Sequence, residues 1–201
     1  MSNDASGDAA EFGTLLVARH GQTEWSRSGQ HTSYTDLPLL PEGEEQARGL
    51  AALLAEFAPV RALSSPLQRA VRTAELAGFA DPEIVPELTE WNYGEYEGRT
   101  RSEIQQDRPG WSVWNGTPEG GELITDVAAR AGHVIATVLP DLAEGRNVVV
   151  FSHGHFSRVL AATWLGLAPA DGRLFVLDPG SFGALGDDRG QRVMRRWNQP
   201  A

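Results

Sequence analysis

The residues best suited to chemistry in this sequence are an arginine and a histidine that directly follow an apolar run. Residues 15–18 are apolar, and Arg19, His20 and Gly21 come immediately after them. Such a run is typical of a buried parallel strand, and open α/β sheets bind ligands beyond the carboxyl ends of their strands. Gly21 allows a sharp turn or the close approach of a ligand. A permanent cation beside an imidazole favours an anionic ligand, with phosphate as the leading candidate.

The same pattern recurs near the other end of the chain. Apolar residues 148–151 lead to His153 and Gly154, and Arg158 follows shortly after. If the two strands are neighbours in one sheet, His20 and His153 face each other across one crevice. A lone histidine at a strand end is usually a hydrogen-bonded structural residue, whereas the paired pattern is far more specific.

Alternating strand and helix patterns surround the two histidines. Strands are predicted at about 13–19, 60–63, 147–152, 173–177, 181–186 and 192–197, and helices at 42–57, 100–107, 122–139 (ending near Pro140) and 155–166. A further helix is predicted to begin after a cap at residues 64–66, while residues 81–98 form a structured loop and 109–121 a lid or side excursion. This alternation predicts an α/β fold, in which a mostly parallel central sheet carries helices on both faces. With 201 residues and no linker, we expect one domain over 12–201 after a disordered tail at 1–11.

The composition argues against several classes of function. Lys and Arg number 17 against 27 Asp and Glu, and the net charge of −10 disfavours nucleic acid and anionic membranes as partners. The absence of cysteine excludes disulfides, thiolate zinc sites and a cysteine nucleophile. No apolar run approaches the roughly 20 residues of a membrane span, and the first residues lack a secretion signal, so we expect a cytoplasmic protein. Nothing in the sequence specifies an oligomeric state.

Four segments, in the same order along the chain, resemble motifs of the histidine phosphatase superfamily, which has the phosphoglycerate-mutase-like fold. They are residues 19–25 (RHGQTEW), 65–74 (SPLQRAVRTA), 88–98 (LTEWNYGEYEG) and 152–155 (SHGH). Residues 29–32, 35–39 and 91–98 are most similar to the sedoheptulose-bisphosphatase-like and acid-phosphatase-like branch. One departure is Leu40, where the family usually has a threonine or serine that caps a helix. We expect Pro41 at the helix start to replace that cap.

The resemblance and the chemistry of the residues indicate the same roles. His20 is the expected nucleophile, because a neutral imidazole attacks phosphorus and a phosphohistidine divides hydrolysis into two easier steps. Arg19 and Arg69 are expected to hold phosphate oxygens with their planar guanidinium groups, and a protonated His153 to be a third donor. Glu90 is the candidate general acid for the leaving alkoxide and then the base for the attacking water. This scheme needs no metal ion and no cofactor.

Other polar residues near these motifs are expected to contact the substrate. They are Gln22, Thr23, Ser26, His31, Thr32, Ser65, Tyr93, Gly154, His155 and Arg158. For His155, a place behind the substrate contacts or at the helix start is favoured over catalysis. A zinc site built from His20, His153 and His155 is the weaker alternative, because Arg19 would then lie beside a dication.

The favoured function is a phosphomonoesterase acting on a small phosphorylated metabolite, such as a sugar phosphate or bisphosphate. A phosphoglycerate mutase would use the same residues but return the phosphoryl group to a bound product. Mutases of the family are longer and carry a basic insert after the acid motif, whereas residues 91–121 offer only Arg99, Arg101 and Arg108. A non-catalytic phosphate-binding module is the third hypothesis, disfavoured because all the chemical groups are present.

Overall fold

The strands form a single sheet in the computed structural model, which describes residues 11–201. They are β1 (Leu15–Arg19), β2 (Arg61–Ser64), β3 (Glu83–Ile84), β4 (Val148–Ser152), β5 (Ser181–Asp188) and β6 (Gln191–Pro200). The six-stranded sheet has the order β3-β2-β4-β1-β5-β6. The first four strands pair in parallel, and β5 and β6 form an antiparallel hairpin on the β1 side. The predicted α/β fold with a mostly parallel sheet is therefore confirmed.

Helices cover both faces of this sheet. In the described part of the chain they are α1 (Glu24–Ser28), α2 (Pro41–Ala55), α3 (Gln68–Leu76), α4 (Arg101–Asp107), α5 (Ile124–Ala143) and α6 (Gly154–Trp164). Successive side chains of a strand point to opposite faces. Accordingly, Leu15 and Val17 pack in the core beneath α5 and α6, while Leu16 and Ala18 pack in a second core beneath α2 and α3.

Several helix boundaries differ from the sequence prediction for local reasons. Pro41 is the first residue of α2, as expected from the missing cap. The predicted serine cap of α3 is wrong, because that helix begins at Gln68 after the extended residue Leu67. Helix α5 continues past Pro140 to Ala143. The packing of its buried residue Leu142 in the core offsets the loss of the hydrogen bond that proline cannot donate. Helix α1 and strand β3 were not predicted.

The predicted strand at 173–177 is wrong. The segment consists of the end of a 3-10 turn, Pro169–Leu174, followed by residues outside regular structure that lead to β5. Leu174 and Val176 are 66% and 55% exposed, whereas Phe175 packs against the core and Leu177 is buried. This alternation imitates a half-buried strand, but residues 173–177 are not part of the sheet, and the 3-10 turn that ends at Leu174 packs against α6.

Two excursions remain close to the core. Residues 81–98 contain β3 and two 3-10 turns, Pro86–Leu88 and Gly94–Tyr96, between loop residues. In the predicted lid at 109–121, Trp111 and Val113 are buried in the core and anchor the excursion. The predicted tail, except for Glu11, lies outside the described residues. Within residues 11–201, no helix has the length and apolar character needed to span a membrane.

Candidate active site

The two histidine motifs meet because their strands are adjacent. Strands β1 and β4 are parallel neighbours, with Arg19 paired opposite Ser152 at their carboxyl ends. The backbone N–H of His20 then donates to the carbonyl of Ser152 at 3.0 Å. The ring centroids of His20 and His153 lie 5.1 Å apart. The sheet therefore brings the two imidazoles together, as their positions at strand ends predict.

His20 has the protonation state that a nucleophile requires. Its Nδ1 lies 2.7 Å from the carbonyl oxygen of Gly21, which can only accept, so Nδ1 carries the hydrogen and Nε2 keeps its lone pair. Burial lowers the pKa of His20 well below its usual range, and the positive charges of Arg69 and Arg19 lower it further. A Cβ at Gly21 would lie 2.1 Å from the Gly43 carbonyl oxygen, so this position needs glycine.

His153 is held between two side chains at the floor of the site. Its Nδ1 accepts from Nε of Arg69 at 3.2 Å, and its Nε2 lies 2.8 Å from Oγ of Ser65. Burial lowers the pKa of His153 well below its usual range, with Arg69 as the next cause. Both effects favour the neutral ring. The predicted protonated form would require Nε of Arg69 to give up its hydrogen bond to this ring.

The two arginines occupy different positions. Arg19 lines the cavity and donates from Nη1 to the Leu177 carbonyl at 2.6 Å, whereas its Nε and Nη2 have no hydrogen bond within the described residues. Arg69 is 0% exposed and donates from Nη1 and Nη2 to the carbonyls of Thr35 and Ser33 at 3.0 and 2.9 Å. Arg19 thus has donors left for an anion in the cavity, whereas Nε, Nη1 and Nη2 of Arg69 all donate to acceptors within the protein.

Glu90 is aimed into the site by the start of α6. This carboxylate, 6% exposed, accepts from the backbone N–H groups of His155 at 3.0 Å and Phe156 at 2.8 Å. The N–H of Trp91 donates to it at 2.9 Å. Three backbone N–H donors, two of them in the first turn of a helix, therefore fix the position of this carboxylate. Glu90 lines the same cavity as His20 and Arg19.

The cavity separates the predicted substrate contacts into two groups. Its wall includes seven of them: Ser26, His31, Thr32, Tyr93, Gly154, His155 and Arg158. Three others support neighbouring elements instead. Thr23 caps α1, Ser65 bonds to His153, and the backbone N–H of Gln22 donates to Gln46 Oε1 at 2.9 Å. The cavity lining does not include Arg69 or His153, which are both fully buried.

Six lining residues were missed by sequence reasoning. They are Trp25, Gly29, Gln30, Val176, Leu177 and Asp178. The first three lie within or beside the recognised motifs, so proximity to those motifs was a usable signal. Val176 and Leu177 come from the segment that the sequence wrongly assigned to a strand, and Asp178 directly follows it; no local signal placed these three residues at the cavity.

A second pair of imidazoles forms the far wall of the cavity. The His31 and His155 rings are nearly parallel, at 13°, with centroids 6.2 Å apart. Nδ1 of His31 lies 2.8 Å from the Arg99 carbonyl, and Nδ1 of His155 lies 2.6 Å from the Tyr93 hydroxyl. Burial lowers the pKa of His31. Each ring therefore has Nε2 left to face a substrate.

The donor sets do not favour the zinc alternative. Nδ1 of His153 is hydrogen-bonded to Arg69, and its Nε2 is hydrogen-bonded to Ser65, so neither nitrogen is left to bind a metal ion. Nδ1 of His155 is hydrogen-bonded to Tyr93. Within residues 11–201, no group of three or more histidine, cysteine, aspartate or glutamate side chains is arranged to hold a metal ion.

Comparison with known proteins identifies the family. The model of the histidine phosphatase superfamily (branch 1) matches residues 15–200. The chain belongs to this superfamily. An acid phosphatase of Mycobacterium tuberculosis is 38% identical over 90% of this chain and 89% of that protein. The sedoheptulose 1,7-bisphosphatase of Saccharomyces cerevisiae is 34% identical over 76% of this chain and 67% of that protein.

Solved structures of this superfamily have the same fold. The structure of the open reading frame Rv3214 product of Mycobacterium tuberculosis superposes with a TM-score of 0.89, at 36% identity over 94% of this chain and 98% of that chain. Relatives named phosphoglycerate mutases also match, at 30% to 33% identity. The predicted superfamily and the predicted enzyme class, a histidine-type phosphatase, are both confirmed.

Proposed function

We propose that this member of the superfamily hydrolyses small phosphate monoesters through a phosphohistidine on His20. The observation that carries the proposal is the neutral His20 ring, whose Nδ1 is held by the Gly21 carbonyl and whose Nε2 lone pair remains available. Arg19 and Glu90 line the same cavity, so a cation and a carboxylate flank the nucleophile. These are the groups that phosphoryl transfer needs for positioning and charge stabilisation.

In the first step, Nε2 of His20 forms a bond to phosphorus and the ester P–O bond breaks. The electron pair stays on the leaving oxygen, which takes a proton from Glu90. Arg19 donates to the phosphoryl oxygens, and the buried charge of Arg69 stabilises them from below. Glu90 carries a proton when it acts as the acid in this step, and it is left as a carboxylate when the alcohol forms.

In the second step, Glu90 acts in the opposite direction. Its carboxylate removes a proton from water, the water oxygen bonds to phosphorus, and the P–N bond breaks. The electron pair returns to Nε2 of His20, which regains its neutral form. The products are an alcohol and inorganic phosphate, and the residues end in their starting states.

The far wall of the cavity supports a sugar phosphate as the substrate. Since the Arg99 carbonyl fixes the hydrogen of His31 on Nδ1, its Nε2 accepts, and a hydroxyl group is the complementary donor. Arg158 lies over the Trp114 ring at 4.8 Å and lines the cavity, so it can pair with a second phosphate of a bisphosphate. Similarity to the yeast sedoheptulose bisphosphatase is consistent with either substrate. A small phosphorylated metabolite, rather than nucleic acid or a membrane, is the proposed partner.

The arginines after Glu90 argue against the mutase alternative. Arg99 is bonded to Asp107, Arg108 donates to the Tyr96 hydroxyl, and Arg101 is exposed. None of the three lines the cavity that the described residues form. Among the described residues, this part of the site therefore has no basic side chain to bind the carboxylate of a product. Water then has less competition from a bound product for the phosphoryl group.

Incubation with p-nitrophenyl phosphate in EDTA tests the proposal. We expect release of phosphate, and rapid alkaline quenching followed by mass spectrometry should detect phosphate on the peptide that contains His20. The variant His20→Ala should lose both signals, whereas His133→Ala, an exposed change on α5, should retain them. Interconversion of phosphoglycerates without net hydrolysis would support the mutase instead. Vanadate binding without either activity would support a binding module.

A further inference from the structure

The carboxylate of Glu97, which lies outside the cavity, organises the loop that precedes α2. Oε1 and Oε2 of Glu97 accept from the backbone N–H of Ser33 at 2.8 and 2.9 Å, and Oε1 accepts from the N–H of Thr35 at 3.1 Å. Glu97 is 62 and 64 residues away along the chain from these partners. The carboxylate therefore makes long-range contacts with backbone donors that have no helix or strand partner.

The carbonyl groups of the same two residues face the buried arginine. The carbonyl of Ser33 accepts from Nη2 of Arg69 at 2.9 Å, and that of Thr35 accepts from Nη1 at 3.0 Å. Nε of Arg69 then donates to Nδ1 of His153 at 3.2 Å. The loop therefore lies between Glu97 and Arg69, with its N–H groups on one side and its carbonyls on the other.

This arrangement stabilises Arg69 without neutralising it directly. Burial lowers the pKa of the Arg69 guanidinium, and the negative charges of Glu90, Asp36 and Glu97 oppose that shift. A carboxylate paired directly with the guanidinium would compete with phosphate for it. Glu97 contributes its charge through one layer of peptide groups, so the guanidinium keeps a positive field beneath the phosphoryl site.

Neighbouring contacts hold the two ends of the loop but leave its middle to Glu97. Near one end, the N–H of Gly98 donates to the His31 carbonyl at 2.8 Å. At the other end, Asp36 accepts from the N–H of Gln68 at 2.9 Å, at the start of α3. We propose that Glu97 is a positioning residue for catalysis, which holds the loop carbonyls that orient Arg69 and, through it, His153.

The test is Glu97→Gln, which preserves size but replaces one acceptor oxygen with an NH₂ group and removes the charge. Glu95→Gln, an exposed neutralisation two residues away, is the matched control. With p-nitrophenyl phosphate, we expect Glu97→Gln to lower kcat/KM on the order of tenfold. Its affinity for orthovanadate, measured by calorimetry, should fall by a similar factor. Glu95→Gln should match the parent protein in both measurements.

A double-mutant cycle tests the route through Arg69. If Glu97 acts through that guanidinium, Glu97→Gln should have little further effect on vanadate affinity in an Arg69→Lys background. If Glu97→Gln lowered vanadate affinity equally in both backgrounds, the proposal that Glu97 acts through Arg69 would be overturned. Parent-like vanadate affinity in a folded Glu97→Gln protein would overturn it as well. Should Glu97→Gln melt below the assay temperature, Glu97→Asp, which keeps the charge but shortens the reach, must show the same direction of change.

Only the kinetic part of this test rests on the proposed function. NMR of the Arg69 Nε–H and the His153 ring nitrogens reports the positioning even if the protein hydrolyses no ester. We expect Glu97→Gln to speed exchange of the Arg69 Nε–H with solvent and to shift the His153 Nδ1 resonance. Unchanged signals relative to Glu95→Gln would overturn the inference, whereas absent turnover in the parent protein would overturn only the phosphatase proposal.

Discussion

Replacing Gly154 with alanine should separate the activity of this protein from its stability. Gly154 is the first residue of α6, and a Cβ there would lie 3.1 Å from Cζ of Arg19 and 3.3 Å from its Nε and Nη1. The guanidinium cannot retreat freely, because its Nη1 donates to the Leu177 carbonyl at 2.6 Å. The added methyl group therefore displaces Arg19 by a few tenths of an ångström or weakens that hydrogen bond.

The size of the effect follows from these contacts. A hydrogen bond from a charged donor to a phosphoryl oxygen contributes about 1.5–3 kcal/mol, and its loss corresponds to about a 10- to 150-fold decrease in kcat/KM. Gly154→Ala also lowers the entropy of the unfolded chain, which stabilises a compatible helical site by about 0.4–1 kcal/mol. Because the crowding at Arg19 opposes that gain, we expect the free energy of unfolding to change by less than about 1 kcal/mol.

Urea denaturation measures the free energy of unfolding, and steady-state kinetics with p-nitrophenyl phosphate measure kcat/KM. Calorimetry measures the affinity for vanadate. The matched control is Gly132→Ala in α5, where an added Cβ meets no atom within 4 Å. That variant should gain stability and keep full activity. Parent-like kcat/KM and vanadate affinity in Gly154→Ala would refute the argument that close packing of glycine against Arg19 is needed for catalysis.

Three further outcomes follow from the site. Glu90→Gln should slow hydrolysis most for esters of poor leaving groups, because these need an acid to protonate the leaving oxygen. Comparing the hydrolysis of alkyl phosphates with that of p-nitrophenyl phosphate, which has a good leaving group, checks this. Burial lowers the pKa of His20 and His153 well below 6.5. As pH falls below 6.5 the unfolded chain binds protons that the folded protein does not, so stability should fall by at most about 1.4 kcal/mol per pH unit for each histidine. His31→Phe should raise KM for a sugar phosphate several-fold more than for p-nitrophenyl phosphate, because it removes the acceptor at Nε2.

Each of these outcomes has a result that contradicts it. Equal slowing of both esters by Glu90→Gln would argue against its role as an acid. A free energy of unfolding that stays constant or rises between pH 7 and pH 5.5 would contradict neutral buried rings at His20 and His153. For His31→Phe, an equal change in KM for the two substrates would remove the case for hydroxyl recognition. Leu39→Ala, a change outside the cavity, is the control for the kinetic variants.

The sequence by itself determined which reactive side chains follow the two strand ends. Apolar runs that stop at Arg19-His20-Gly21 and at His153-Gly154 predict strands with functional ends, and parallel pairing brought those ends together. The patterns of the helices other than the five-residue α1 were equally readable, apart from their ends, because amphipathic periodicity is a local property. The family motifs located Glu90 in a loop that has no periodicity of its own.

Tertiary structure decided the supporting contacts and the charge states. The role of Ser65 beside His153 depends on a contact across 88 residues, and Arg69 meets Ser33 across 36. The segment that ends at Leu177 alternates like a strand, yet it lies outside the sheet and holds Arg19 through the Leu177 carbonyl. Neither the tautomer of His20 nor the position of Glu97 behind Arg69 is encoded in a local pattern. Hydrogen bonding and desolvation depend on which distant groups share the interior, and folding alone brings those groups together.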